Sequence, residues 1–181
     1  KQPQKLLLSM PIKTNKMDNT ISQIIAEQID NTRELTRYYL SKLKGADVYK
    51  GFICNDKTLN PIIWEIGHLA VSQNWLVLYL GNGNPEKIEW GKLFALGSTP
   101  PKKGDYPPYE EIWNTFKLVH EKSIKHVASL NDEVLNSVPR KEIPFIRNND
   151  LKNLFMHSIR HEGIHAGHLS WLCKLHGIQT I

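Results

Sequence analysis

The sequence predicts an all-α protein, a four-helix bundle with long connections. Three observations carry that expectation. Four segments repeat apolar residues at spacings of three and four, the period of a helix with one buried face. No segment sustains the period-two alternation of a half-buried strand. The chain has 181 residues, 40% of them apolar, which is enough for one domain with a sizeable core.

The first helix is predicted from about Asp18 to Lys44, with Ile21, Ile24, Ile25, Ile29, Leu35, Tyr39 and Leu43 as its stripe and Gly45 as its stop. The second opens at "NPIIWEIGHLAVSQNWLVLYLGNG", where Asn60 can cap, Pro61 suits the first turn and Gly81 ends the run. It is apolar nearly all round and should be the most buried. The third runs from about Pro108 to Leu130, with Ile112, Phe116, Val119, Val127 and Leu130 facing inward. The fourth follows "IRNND" and runs to Gly177. "EIPFI" reads as a peripheral strand or turn. The segment between helices two and three is long for a bundle. Two readings of it stand: a short helix at "WGKLFAL" lying over one end, or a solvated excursion.

Residues 1–17 read as a flexible basic extension and 18–181 as a single domain. Four lysines (Lys1, Lys5, Lys13, Lys16) precede the first acidic residue, Asp18, so without them the net charge falls by four, from +5 to +1. A body that balanced has no extended basic face for nucleic acid. The longest apolar run, "NWLVLYL", is far short of the roughly 20 residues that span a bilayer. "KLLLSM" lacks the length and cleavage site of a secretory signal. Cys54 and Cys173 are far apart and lack CxxC partners, so free thiols in a reducing cytoplasm are expected, with one disulfide as the alternative.

The histidines carry the chemistry. Leu154, His157, His161, His165, His168, Leu172 and Leu175 follow helical steps and are expected to form the inward stripe of the last helix. Burying imidazoles without partners is costly, and a divalent metal resolves that cost. His161 and His165 lie one turn apart on one side and can bite one ion. A catalytic site takes three ligands and an open position. His68, alone in the apolar run "WEIGHLAVSQNWLVL", is the third. His157 and His168 are assigned to the surroundings of the site, together with Trp64, Ser72 and Glu162. His120, His126 and His176 are left as surface or core residues.

His161–His165 also spell H-E-x-x-H, the zinc-peptidase string, in which the Glu acts as general base on a zinc-bound water. The downstream third ligand of such enzymes is missing: residue 171 is Trp, and no Asp or Glu follows Glu162. Gly163 weakens the helix that would present the ligands. The protein is therefore not expected to be a zinc peptidase. Glu162 points about 100° away from His161 and is expected to pair beside the site, with Arg160 or a residue of another helix.

"WEIGHLA" on the second helix and "HEGIHAGHLSWLCKLHG" on the last resemble the DinB/YfiT-like family, whose last helix has H-E-x-x-H-x-G-Q followed by a terminal Leu-x-x-x-Gly. The resemblance spans about Asp18 to Gly177. It departs at His168, which stands where many members have Gln, so His168 is either a polar pocket group or a fourth ligand. The resemblance implies a four-helix bundle whose metal is held by His68, His161 and His165. It implies zinc, nickel or manganese as that metal, and often a homodimer. The family name does not imply DNA binding. Characterised members include S-transferases and isomerases that use bacillithiol, mycothiol or glutathione. The leading expectation is a metal-dependent thiol S-transferase acting on small electrophilic molecules. Trp64, Trp75 and Tyr38 or Tyr39 are candidates for its pocket wall. Two rivals stand beside it: a metal-dependent hydrolase of a small amide or ester, and a non-catalytic metal-binding or sensor module.

Overall fold

The computed structural model describes residues 19–180, and the basic extension at 1–17 lies outside them. The described chain is mostly helical. Its long helices are α1 (Ile21–Lys42), α2 (Ile62–Gln73), α3 (Tyr109–Ala128) and α5 (Leu151–Leu175), with a single short turn of helix, α4 (Asp132–Leu135), between the last two. α1 and α2 each pack against both α3 and α5. No helix among the described residues is long and apolar enough to cross a membrane.

Each long helix starts and stops for a local reason. Thr20 caps α1 through a reciprocal box: its hydroxyl accepts from the Gln23 amide and the Gln23 side chain accepts from the Thr20 amide. Asp150 caps α5 by accepting from the Asn153 amide at 2.7 Å. Gly177 ends α5 with a φ of +73° as the Ile178 amide reaches back to the Cys173 carbonyl. The expected cap at Asn60 is displaced by one residue. Pro61 occupies that position, and its carbonyl accepts from the Trp64 and Glu65 amides. α2 then continues as a π-helical stretch, Asn74–Tyr79, that buries Leu76, Val77 and Leu78. α5 runs unbroken through Gly163, so tertiary packing outweighs the ~1 kcal/mol that an interior glycine costs a helix.

One feature departs from the sequence expectation, and two open readings are resolved. A small antiparallel hairpin, β1 (Phe52–Cys54) and β2 (Lys57–Leu59), follows α1. Its two-residue loop, Asn55-Asp56, has positive φ at both positions, as a hairpin matching strand twist requires. "EIPFI" takes the turn and not the strand, at Pro144-Phe145. "WGKLFAL" forms a short 3-10 turn, Gly91–Phe94, and is packed rather than solvated, because Phe94 is fully buried.

The inward faces of α1 and α5 also differ from the apolar stripes. α1 buries Ile25, Ile29, Arg33 and Thr36, while Ile21, Ile24 and Leu35 are exposed. α5 buries Phe155, Ser158, Glu162, Ala166 and Leu169, while His168 and Leu175 are exposed. The cause is one charged pair. The Arg33 guanidinium grips the Glu162 carboxylate at both oxygens: Nε meets Oε1, and Nη2 reaches Oε2 at 3.1 Å. It also donates to Gln73 Oε1 at 3.0 Å and lies 3.8 Å over the Phe116 ring. Thr36 donates to Glu162 at 3.0 Å. Of the two partners expected for Glu162, the structure provides the residue of another helix, Arg33, and not Arg160.

This pair belongs to a buried polar layer between two apolar clusters. One cluster, around Ile63, Ile66, Phe94, Phe116 and Leu172, fills one end. The other, around Ile29, Val77, Val127, Leu154 and Phe155, fills the opposite end. Between them, Gln73 donates to His120 Nδ1 at 3.3 Å, and His120 Nε2 donates to Asp30 at 2.9 Å. Both cysteines are free, Cys54 exposed and Cys173 buried.

Two outcomes follow for stability. Removing one partner of a buried ion pair costs about 3–5 kcal/mol. Glu162→Ala should lower the unfolding free energy by that amount in chemical denaturation, whereas the Arg33→Met, Glu162→Leu double variant should recover most of it. Burial pushes the His120 imidazole down to about 4 despite its bond to Asp30. The unfolded chain, with an ordinary value of about 6.5, therefore takes up this proton first. Stability should fall as pH drops from about 6.5 towards 4, and His120→Gln should flatten that part of the curve.

Candidate metal centre

α2 and α5 lie side by side, and three imidazoles converge between them. One ring nitrogen each from His68, His161 and His165 forms a group within 4.8 Å of one another. His68 Nε2 and His161 Nε2 are 3.2 Å apart. Two nitrogens bound to one tetrahedral zinc at 2.0–2.1 Å would be separated by about 3.3 Å.

The hydrogen bonds on the far side of two rings fix their tautomers. His68 Nδ1 lies 2.7 Å from the Phe94 carbonyl oxygen, which can only accept. Nδ1 therefore carries the proton, and Nε2 presents a bare lone pair in the neutral ring. His165 Nδ1 donates to Glu65 Oε2 at 2.6 Å, leaving its Nε2 free in the same way. This is how a protein orients metal-binding imidazoles. Burial pushes His161 down to about 3, helped by repulsion from His165 and His68, and burial likewise lowers His68. Neutral rings with converging lone pairs are what a cation needs, and the group can hold one metal ion.

The supporting shell is built by particular residues. Trp64 stacks flat on His68, with ring centroids 4.6 Å apart and planes 9° apart. Gly67 permits the approach of Phe94: a Cβ there would lie 2.4 Å from the Phe94 ring. Only a glycine beside His68 lets the 91–94 turn bring its carbonyl to the imidazole. Burial alone would raise Glu65, yet its bonds to His165 and His168 hold the carboxyl at about 2. It is thus a fixed anion behind the converging rings, bonded to His165.

A cavity of about 860 Å³ opens against this group. His68, His161, His157 and Ser72 are in its wall, together with Trp75, Leu96, Phe145 and Pro144. The Ser72 hydroxyl is 3.2 Å from His68 Nε2. His157 stacks on Phe145, 5.7 Å between centroids, and Arg160 donates to both His157 Nδ1 and the Phe145 carbonyl.

A family model described as the DinB superfamily matches residues 28–169, which contain all three converging histidines. The chain belongs to the DinB superfamily. No curated protein gives a match.

In this DinB-superfamily chain the expected site residues divide into groups. His68, His161 and His165 meet. His157 and Ser72 line the cavity. Trp64 supports a ring from behind and has no place in the cavity wall. His168 is half exposed, 3.5 Å by its Nδ1 from Glu65, where it shares the carboxylate with His165. Glu162 turns into the core. Trp75 lines the cavity, but Tyr38 and Tyr39 do not. Two contributors escaped the sequence reading. Glu65 had a signal, as an acid one turn before His68 in an otherwise apolar run. The Phe94 carbonyl had no signal of its own, because a backbone oxygen has no residue type, and only Gly67 hints at it. Loss of such a supporting partner weakens metal binding about 10–100-fold. Glu65→Gln should do so in chelator competition, with the helical circular dichroism signal unchanged.

Proposed function

We propose that this DinB-superfamily protein is a metal-dependent S-transferase that joins a low-molecular-weight thiol to a small electrophilic molecule. Its four long helices then serve as the bundle that holds the metal, with His68, His161 and His165 as ligands. The observation that carries the reading is the exposure of the converging nitrogens: two of the three rings stand in the wall of an open cavity, so a reactant can reach the same point. Three imidazole nitrogens suit zinc or nickel, and manganese less well.

A divalent metal held there supplies Lewis acidity, which lowers the pKa of a thiol so that thiolate is present at neutral pH. The chain supplies the rest. Phe94 and Glu65 keep the protons on the outer nitrogens of His68 and His165. Trp64, stacked on His68, fixes the plane of that ring, and the apolar cavity wall leaves the inner nitrogens open to a reactant. The thiol proton passes to solvent, the new S–C bond forms as the bond to the leaving group breaks, and the leaving group departs with the electron pair.

The carboxylates nearest the three rings are engaged. Glu162 is committed to Arg33 and Glu65 to His165. Neither is free to serve as the general base that hydrolysis needs. A second reading, hydrolysis of an amide or ester, rests on Glu142, a carboxylate in the cavity wall. The two readings separate in one assay. Protein purified without chelators should contain one transition-metal ion per chain, lost in His161→Ala. With metal and thiol it should consume a chromogenic electrophile faster than the metal-free protein does. No acceleration with any of several thiols would refute transfer. Turnover without thiol, abolished by Glu142→Gln, would establish hydrolysis.

A further inference from the structure

The cavity beside the three imidazoles has an unusual rim. Trp75 is 44% exposed, Leu96 83% and Phe145 57%. Single exposed apolar residues are ordinary on any protein surface. These three come from separate segments: the π-helical end of α2, the loop after the 91–94 turn, and the connection preceding α5. They meet at one opening. Convergence of large apolar groups around a concave site marks a place where an apolar partner is received.

The rest of the wall agrees. Val71, Leu76, Ala95, Ile143 and Pro144 continue the apolar surface inward. The charged wall residues are Lys92 and Glu142, of opposite sign, so the cavity selects for neither anion nor cation. His157 and Phe145 stack with their planes 19° apart, giving the mouth a flat aromatic shelf. About 860 Å³ is far more than a two-carbon electrophile would fill and falls within the range of sites for drug-sized ligands.

We infer that the electrophile is a bulky, uncharged, aryl-bearing molecule, and that Trp75, Leu96 and Phe145 select it. This rests on the S-transferase reading for the reaction, but not for the binding. The aryl group lies against Trp75 and the Phe145–His157 shelf. Its electrophilic carbon points inward, toward the converging nitrogens. The thiol's polar body is left at the solvent side.

The test uses the full chain loaded with zinc. Binding of 2,4-dinitrotoluene, an unreactive arene, is measured by calorimetry. Transfer is measured with 2-mercaptoethanol on 1-chloro-2,4-dinitrobenzene and on 2-chloroacetamide, each corrected for its uncatalysed rate. The arene should bind the native protein. Trp75→Ala and Phe145→Ala should weaken it at least about tenfold, a loss typical of a trimmed apolar pocket, and Trp75→Phe should restore most of it. Zinc content and helicity should not change. The kcat/KM preference for the aryl over the small substrate should fall by a similar factor in the alanine variants. No arene binding, or binding equal in native and variant proteins, overturns the inference, even where both substrates are turned over. Variant-sensitive arene binding without thiol transfer to either substrate upholds the aryl site and overturns the transferase reading alone.

Discussion

The rotation of α5 about its own axis is set by the buried contact between Arg33 and Glu162. A fully enclosed guanidinium and a nearly enclosed carboxylate tolerate little displacement, because each is the other's main compensation for lost water. Gln73, Thr36 and the Phe116 ring hold the arginine and the carboxylate from three further directions. With Glu162 locked inward, its neighbour His161 is turned about 100° round the helix. His165, one turn later, follows it. Both rings are thereby delivered to the groove beside α2, where His68 waits. The pair acts on the site only through geometry, since neither charge touches a converging nitrogen.

That arrangement gives the letters H-E-x-x-H a structural reason. In this chain the string is two functions interleaved on one helix. The histidines face a groove and converge on one point with His68, while the glutamate faces the core and fixes orientation. A general base must stand beside the water it activates, and Glu162 stands on another face, occupied by Arg33. Glu65, three residues before His68, takes the carboxylate role nearest the rings. It does so from behind, by fixing a tautomer rather than by taking a proton from a reactant.

Much of the architecture was legible because it rests on apolar periodicity and on end signals. The buried α2, the α3 stripe and the stop at Gly177 follow from pattern and end signals, and spacing pairs His161 with His165; His68 joined them through its isolation in an apolar run and through the family resemblance. The inward faces of α1 and α5 were misread for a single reason. A rule that puts apolar residues inside rejects Arg33 and Glu162 individually, and only their mutual proximity makes either burial affordable; that proximity spans 129 positions. The hairpin was missed because three-residue strands are too short to show a period. Its Asn55-Asp56 loop was the available clue. The Phe94 contact was unreadable for another reason: what matters is a carbonyl oxygen, and the only trace in the sequence is the absent side chain of Gly67.

The placement of the site between the two apolar clusters has a further consequence. Both ends of the molecule are close-packed hydrocarbon, where an unpaired imidazole would be expensive. The middle is already polar, with Arg33, Gln73, His120 and Glu162 bonded into one layer. A helix face that leaves the apolar clusters there can carry histidines to its edge without breaking either core. The rings are oriented by the Glu65 carboxylate and the Phe94 carbonyl, both on buried residues, with a rigidity that loose surface positions could not match. The converging imidazoles thus sit where the core changes character, on the flank of the polar layer that opens to the cavity. The apolar ends hold the four long helices close enough for two of them to bring three imidazoles within reach of one point.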